Sequence, residues 1–146
     1  MRICDLNLLI YATNERAAHH ERARAVLDAL MVASRPVGLP WMVTLGYVRL
    51  TTNPRVMEDP LEPAAAVGIV RNWLERTNVV APEPTARHLD LVADLLAATG
   101  TGANLVNDAH LGALALEHGA ELWSFDHDFS RFPGVLWRSP AEHDPD

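Results

Sequence analysis

The sequence contains no lysine, so all 12 of its cationic side chains are arginines. Any mechanism that requires a lysine is therefore excluded. Contacts with phosphate must come from arginine, from hydroxyl groups or from backbone amides. The same absence excludes a Walker phosphate loop, in which a lysine reaches the β- and γ-phosphates.

Cysteine is nearly absent as well, because Cys4 is the only one. Neither an intrachain disulfide nor a cluster of thiolate ligands can form. Cys4 lies in a short apolar run and is expected to be a small core residue. The N-terminus Met-Arg-Ile-Cys-Asp lacks the long apolar stretch of a signal peptide, and no apolar run approaches the length of a membrane span. We therefore expect a cytoplasmic protein without a membrane segment.

Basic residues are outnumbered, with 12 Lys and Arg against 19 Asp and Glu and a net charge of −7. This balance argues against a broadly basic surface that coats nucleic acid. It leaves room for a local basic groove, a cation site or a basic partner. A chain of 146 residues that is 49% hydrophobic is typical of one ordinary globular domain with a sizeable core.

Short apolar runs alternate with longer amphipathic segments along the whole chain. Strands are predicted at residues 2–6, 36–40, 78–81, 121–124 and 134–137, and helices at 7–12, 19–33, 41–52, 64–76, 85–99 and 105–119. This alternation predicts an α/β fold with a parallel sheet and helices on both faces. Val67 and Leu89 are predicted to face the core from their helices. One domain is expected over residues 1–140, followed by a frayed acidic tail at 141–146.

The last predicted helix is apolar on nearly every side, so we expect it in the middle of the domain. Asn107 or Asp108 can cap its first turn, and Gly119 stands where a left-handed C-terminal cap belongs.

Four aspartates stand where strands end or helices begin. Asp5 follows the first strand, Asp108 opens the last helix, and Asp126 and Asp128 follow the fourth strand. Such positions gather at one edge of a parallel sheet, where these folds bind ligands. Asp126 and Asp128 are two residues apart and share one face if the chain is extended. Each acid could instead be a simple helix cap.

Several carboxylates in one place repel one another unless a cation neutralises them. Mg²⁺ or Mn²⁺ suits such a site, since both ions prefer oxygen ligands and Mg²⁺ keeps several waters. An ion of this kind can orient water and neutralise charge on a phosphodiester. Receiver-type and haloacid-dehalogenase-type phosphoryl-transfer domains also use such aspartates, but both rely on a lysine, which this chain lacks.

Three blocks resemble the signature motifs of PIN-domain ribonucleases. They are Asp5-Leu-Asn-Leu-Leu9, Asn107-Asp-Ala-His-Leu111 and Ser124-Phe-Asp-His-Asp-Phe-Ser-Arg-Phe132. Further residues resemble a branch of VapC-type toxins of prokaryotic toxin–antitoxin modules: Pro40-Trp41, Arg49, Thr52-Asn-Pro-Arg55 and Glu117-His-Gly119. The resemblance extends from Ile3 to Pro140.

This resemblance implies a metal-dependent endoribonuclease with a five-stranded parallel sheet in a three-layer fold. It also implies a homodimer that is held inactive by a VapB-type antitoxin. By position, Asp5, Asp108 and Asp126 match the family's metal-binding acids, and Asp128 matches a frequent fourth acid. The expected reaction is cleavage of RNA that leaves 5′-phosphate and 3′-hydroxyl ends.

The resemblance also assigns roles to polar residues around the acids. Asn7 matches a polar position beside the first acid, and Ser124 matches a small polar position before the third. Arg49, Arg55 and Arg131 are candidates for contacts with RNA phosphate or antitoxin carboxylates, with a structural ion pair as the alternative.

One residue departs from the family pattern. Many PIN domains carry a glutamate in the helix after the second strand, but residues 41–50 contain no acid and Gly46 stands near the expected place. The site could therefore bind one ion instead of two. A catalytically degenerate module that binds RNA or antitoxin without cleavage is the alternative function.

Overall fold

The computed structural model describes residues 1–145, in which six α-helices and five short strands alternate as predicted. The strands are β1 (Arg2–Cys4), β2 (Val37–Gly38), β3 (Val79–Val80), β4 (Glu121–Trp123) and β5 (Leu136–Arg138). The helices are α1 (Leu6–Thr13), α2 (His20–Val32), α3 (Trp41–Thr51), α4 (Pro63–Leu74), α5 (His88–Thr99) and α6 (Leu105–Glu117), with a 3₁₀ helix at His127–Arg131. Within these residues, every helix is too short or too polar to cross a membrane.

All neighbouring strands are parallel, in the order β3-β2-β1-β4-β5. All three residues of β1 are buried. Because successive side chains point to opposite faces of a sheet, both faces are covered. The predicted α/β class with a five-stranded parallel sheet is confirmed.

The strand order reverses between β1 and β4, since β2 and β3 add to one side of β1 and β4 and β5 to the other. Such a reversal leaves a crevice outside the carboxyl ends of the two strands, where open α/β sheets bind ligands. Asp5 follows β1 directly and Ser124 follows β4 directly. Both residues therefore stand at this crevice.

Helix α6 is the most buried helix, which confirms its predicted central position. Its fully buried residues include Ala109, Leu111, Ala113 and Leu114. Gly119 has a φ of +56°, the left-handed conformation expected after a helix. Residues 118–120 lead directly into β4, so α6 runs antiparallel to the strands. Its first turn consequently lies at the same sheet edge as Asp5.

The cap of α6 differs from the prediction, although the helix starts at the predicted residue. The helix begins at Leu105, after Asn104, whose side chain makes no capping hydrogen bond. Neither Asn107 nor Asp108 is the cap, because both already lie within the first turn. Asp108 is thus the acidic residue of that turn, where the helix dipole favours a negative charge.

Two predicted core residues are exposed instead. Val67 of α4 is 42% exposed and Leu89 of α5 is 78% exposed. Helix α5 begins at His88 and not at residue 85, because the Thr85 amide and hydroxyl both donate to Oε1 of Glu117, at 3.1 and 2.6 Å. These bonds hold the preceding residues in a turn.

The segment after residue 140 contacts α2. Arg22 donates from its guanidinium to the carbonyl oxygens of Pro140 and His143, and to Oδ1 of Asp144 at 2.7 Å. Asp146, the end of the predicted tail, lies outside the described residues. The domain boundary at residue 140 stays a prediction.

Candidate active site

Asp5 combines two roles in the structure. It is the N-cap of α1, with Oδ1 accepting from the Leu6 amide at 2.6 Å. Its Oδ2 accepts from the Ser124 hydroxyl at 2.7 Å. A carboxylate offers about four lone pairs, so two remain available for a cation. Capping and metal binding by Asp5 are therefore compatible.

Ser124 is the centre of the network at the crevice and is fully buried. Its Oγ accepts from Asn7 Nδ2 at 2.9 Å and from the Asp126 amide at 2.9 Å. A hydroxyl has two acceptor sites and one proton. Because both acceptor sites of the Ser124 hydroxyl are filled, the hydroxyl donates its proton to Asp5. The orientation of Asn7 is fixed as well, since its Oδ1 accepts from the Phe125 amide at 3.2 Å.

Asp126 and Asp128 are not on one face of an extended segment, so that prediction is wrong. Asp126 is the N-cap of the 3₁₀ helix, and its Oδ1 accepts from the Asp128 amide at 2.9 Å. Both side chains are exposed. Asp128 also forms an ion pair with Nη1 of Arg131 at 3.5 Å. For Arg131, the structure thus contains the ion pair considered as the alternative.

Electrostatics couple Asp108 to the other three acids. Burial, followed by the charges of Asp5, Asp126 and Asp128, raises the pKa of Asp108 from 3.8 to about 6. Burial also raises the pKa of Asp5, and the charge of Asp126 adds to this effect, although bonds from Ser124 and Leu6 oppose it. The charges acting on these two carboxyls are all negative. The site therefore carries an excess of negative charge, which the ion pair of Arg131 with Asp128 offsets only in part.

This donor set suits a hard cation chemically, because all four side chains are carboxylates whose repulsion a cation would relieve. The arrangement is not a closed cage. Among residues 1–145, no three His, Cys, Asp or Glu side chains stand together closely enough to hold a metal ion. An ion that keeps several waters and takes one or two direct carboxylates fits this open set best.

Gly46, near the expected place of the missing glutamate, packs closely against α1. It is buried, and a Cβ there would lie 2.9 Å from Cδ2 of Leu6, the residue that follows Asp5. A side chain at this position would therefore have to move the end of the Leu6 side chain.

Arg49 and Arg55 are exposed, on the second half of α3 and in the loop after it. Helix α3 begins at the crevice edge, after β2. At 1.5 Å per residue, Arg49 lies about 12 Å along the helix from its start. The structure does not bring either arginine to the carboxylates.

A cavity of about 480 Å³ lies at the other end of α1, between Thr13 and Leu61. It is remote from the four aspartates.

Two groups near the site were not identified from the sequence. The rings of Tyr11, His19 and Phe125 contact one another beside Ser124. On the other side of Asp108, His88 Nδ1 is 2.8 Å from Oε2 of Glu117 and His88 Nε2 is 2.7 Å from Nδ1 of His110. Only the Glu117-His-Gly119 block hinted at the second group. The first joins residues too distant in sequence to form a pattern.

Comparisons with known proteins identify the family. A family model of the PIN domain matches residues 2–135. The chain is 45% identical over 140 residues to ribonuclease VapC37 of Mycobacterium tuberculosis, covering 96% of this chain and 97% of that protein. It is 37% identical to ribonuclease VapC33 of the same species, covering 96% and 98%.

Solved structures share the fold. VapBC2 of Rickettsia felis, bound to promoter DNA, superposes with a TM-score of 0.68 at 15% identity, covering 94% of this chain and 97% of that one. VapC20 of M. tuberculosis, described as a sarcin–ricin loop cleaving toxin, gives a TM-score of 0.66 at 18% identity, covering 94% and 99%. The chain belongs to the PIN-domain family and, within that family, to the VapC ribonucleases.

Proposed function

We propose that this protein is the toxin of a toxin–antitoxin module and an endoribonuclease that hydrolyses RNA phosphodiester bonds with Mg²⁺ or Mn²⁺. The observation that carries the proposal is the group of four aspartates at the strand-order reversal, with the pKa of Asp108 raised to about 6 by burial and by the other three acids. In a chain of the VapC family, this excess of negative charge is the proposed site for a divalent cation.

Asp5 and Asp108 are the proposed direct ligands, with Asp126, and Asp128 more remotely, acting through water. When bound, the ion lowers the pKa of water and neutralises charge on the phosphodiester. Ser124 and Asn7 hold Asp5 and the backbone of Phe125 and Asp126 in position. We assign them a positioning role, because the outer partners of metal ligands tune both affinity and orientation.

The proposed partners are an RNA substrate, a VapB-type antitoxin and a second copy of the chain. Solved relatives described as VapBC complexes support the antitoxin. Arg49 and Arg55 are exposed and remain candidates for contact with RNA phosphates or with antitoxin carboxylates. Action on RNA implies a cytoplasmic location.

Asp108→Asn is expected to abolish cleavage while the fold persists. The substitution keeps the size of the side chain but removes the charge that binds the cation. The measurement is cleavage of total RNA by the antitoxin-free protein with Mg²⁺ or Mn²⁺ and in EDTA, followed by sequencing of the new 5′ ends.

Asp94→Asn is the matched control, because Asp94 is an exposed residue of α5 and is not one of the proposed site acids. It should cut like the wild type. Cleavage by Asp108→Asn at the wild-type rate would overturn the assignment.

A degenerate module that binds without cutting is the second candidate, favoured by the open acid arrangement and by Gly46. Titration with Mn²⁺ separates the two functions. An active site binds the ion and loses it in Asp5→Asn, whereas a degenerate module binds RNA or antitoxin equally well with and without metal.

A further inference from the structure

Three rings from distant parts of the chain form one cluster beside the carboxylates. The centroids of His19 and Phe125 are 4.9 Å apart with planes 21° from parallel, so these rings are stacked. Tyr11 lies 5.3 Å from Phe125 and 5.9 Å from His19, tilted toward both. We call Tyr11, His19 and Phe125 the ring cluster.

The hydrogen-bond network of the site fixes where the ring cluster lies. Phe125 stands between Ser124 and Asp126 in the chain, and its amide donates to Oδ1 of Asn7 at 3.2 Å. Tyr11 follows Asn7 by four residues in α1, so both lie on one face of the helix. The ring cluster is therefore a direct neighbour of the Asp5 network.

Tyr11 does not cover the face of the His19 ring that points away from Phe125. Tyr11 is nearly equidistant from His19 and Phe125, so it lies beside the stacked pair and not beyond it. His19 is an exposed residue. A planar group could thus add to the outer face of His19 and lengthen the stack.

The His19 side chain takes no part in the start of α2. His19 is the N-cap of that helix, but its side chain makes no capping hydrogen bond, and its backbone, with φ −103° and ψ 14°, is not in the extended conformation in which a capping side chain works. The ring instead contacts Phe125 and Tyr11.

We propose that the ring cluster binds an unpaired nucleobase next to the scissile phosphate, with the base stacked on the outer face of His19. This inference rests on the proposed ribonuclease function. Unpaired RNA is recognised largely by stacking of its bases on aromatic and histidine side chains. In a chain of net charge −7, such stacking supplies affinity that phosphate contacts alone cannot.

Two substitutions of His19 separate the effect of its ring on RNA binding from any effect on the start of α2. His19→Asn removes the ring, and no capping hydrogen bond is lost with it, so α2 is expected to be preserved. His19→Phe keeps a ring and supplies no polar group. Both are made in the Asp108→Asn background, which blocks cleavage and leaves RNA binding to be measured.

The probes are fluorescein-labelled oligo(A) and an abasic ribose-phosphate oligomer of equal length. The parent and His19→Phe should bind oligo(A) about tenfold more tightly than the abasic oligomer, as expected for loss of one stacked base. His19→Asn should bind the two with nearly equal affinity, at an unchanged melting temperature.

The inference is overturned if His19→Asn keeps the preference for oligo(A), or if His19→Phe loses it as fully as His19→Asn. A separate cleavage assay, made with the protein that retains Asp108, distinguishes failure of this proposal from failure of the proposed ribonuclease function. Wild-type cleavage without base-dependent binding rejects the ring cluster alone. Base-dependent binding without cleavage supports the ring cluster and rejects the nuclease.

Discussion

At the scale of single residues, Ser124 is the position on which the candidate site depends. One buried hydroxyl joins Asp5, Asn7 and the backbone of Asp126, which come from α1 and from the turn after β4. Removing that hydroxyl leaves three polar groups without their partner in a buried place, and unsatisfied groups of this kind are costly.

Ser124→Ala is expected to lower Mn²⁺ affinity and RNA cleavage by roughly 10- to 100-fold, the usual effect of removing an outer partner of metal ligands. Isothermal titration with Mn²⁺ and the cleavage rate measure the two effects. Ser130→Ala is the control, since the exposed Ser130 hydroxyl bonds only to the His127 carbonyl. Equal behaviour of the two variants would contradict the positioning role of Ser124.

The sequence predicted the four aspartates as a group, but not how each is held. Asp5 could be placed because a buried strand precedes it and a helix follows. The arrangement of Asp126 and Asp128 was predicted wrongly. An aspartate side chain can accept a hydrogen bond from the backbone amide two residues later, and it then caps a turn as readily as it continues a strand. The stacking of His19 on Phe125 joins residues 106 positions apart, and no local pattern encodes such a contact.

At the scale of secondary structure, α5 and α6 are joined by a buried polar chain. Glu117 accepts from the amide and hydroxyl of Thr85 and lies 2.8 Å from His88 Nδ1. Burial opposes ionisation of Glu117, but the bonds from Thr85 and His88 lower its pKa below the usual 4.5. His88 in turn contacts His110, two residues after Asp108. This chain ties the first turn of α5 to the second and last turns of α6.

Glu117→Ala is expected to lower the free energy of unfolding by about 2 kcal/mol, because three donors lose a common acceptor. Urea denaturation followed by circular dichroism measures the change. The exposed residue Glu75 provides the comparison, and Glu75→Ala should stay within about 0.5 kcal/mol of the wild type. If Glu117→Ala changes the free energy of unfolding as little as Glu75→Ala does, water replaces these bonds in the variant.

The same bonds explain an error in the element boundaries. Helical spacing alone extended α5 back to residue 85, but Thr85 is engaged by Glu117 and starts no helix. The exposure of Leu89 follows, since it lies in the first turn of the shortened helix. Long-range contacts of this kind override local propensity.

At the scale of the whole molecule, the alternation of strands and helices was predictable, but the strand order was not. The spacing of apolar residues shows which segments are strands and helices. It does not show that β1 pairs with β4, because that pairing depends on the path that α6 and β4 take relative to α1. The reversal at β1 and β4 is nevertheless what brings Asp5, Asp108 and Asp126 to one crevice. The predicted sheet edge was correct because all strands are parallel.

Raising the pH from 5 to 7 in EDTA is expected to lower the melting temperature through Asp108. Its folded pKa of about 6 lies above the usual 3.8. The folded state therefore binds the proton more tightly, and this stability is present below pH 3.8 and lost as the pH rises through about 6. Differential scanning calorimetry of the wild type and Asp108→Asn isolates the effect from that of the histidines.

Asp108→Asn should melt roughly 2–4 °C higher than the wild type at pH 7 without metal, the shift that 1 kcal/mol produces in a domain of this size. Added Mn²⁺ should stabilise the wild type and not the variant, because an ion that binds only the folded state raises its stability. An unchanged melting curve in both experiments would contradict the repulsion inferred at the crevice.

The separation of the site residues along the chain has a consequence for synthesis of the protein. Ser124 bonds to Asp5 across 119 positions, and β4 must pair with β1 before the two can meet. A ribosome must therefore translate most of the message before the crevice can close. Shorter nascent chains contain Asp5 without Ser124 or Asp126, so a truncated product lacks the complete group of acids. The proposed site is therefore assembled only in chains whose translation is nearly finished.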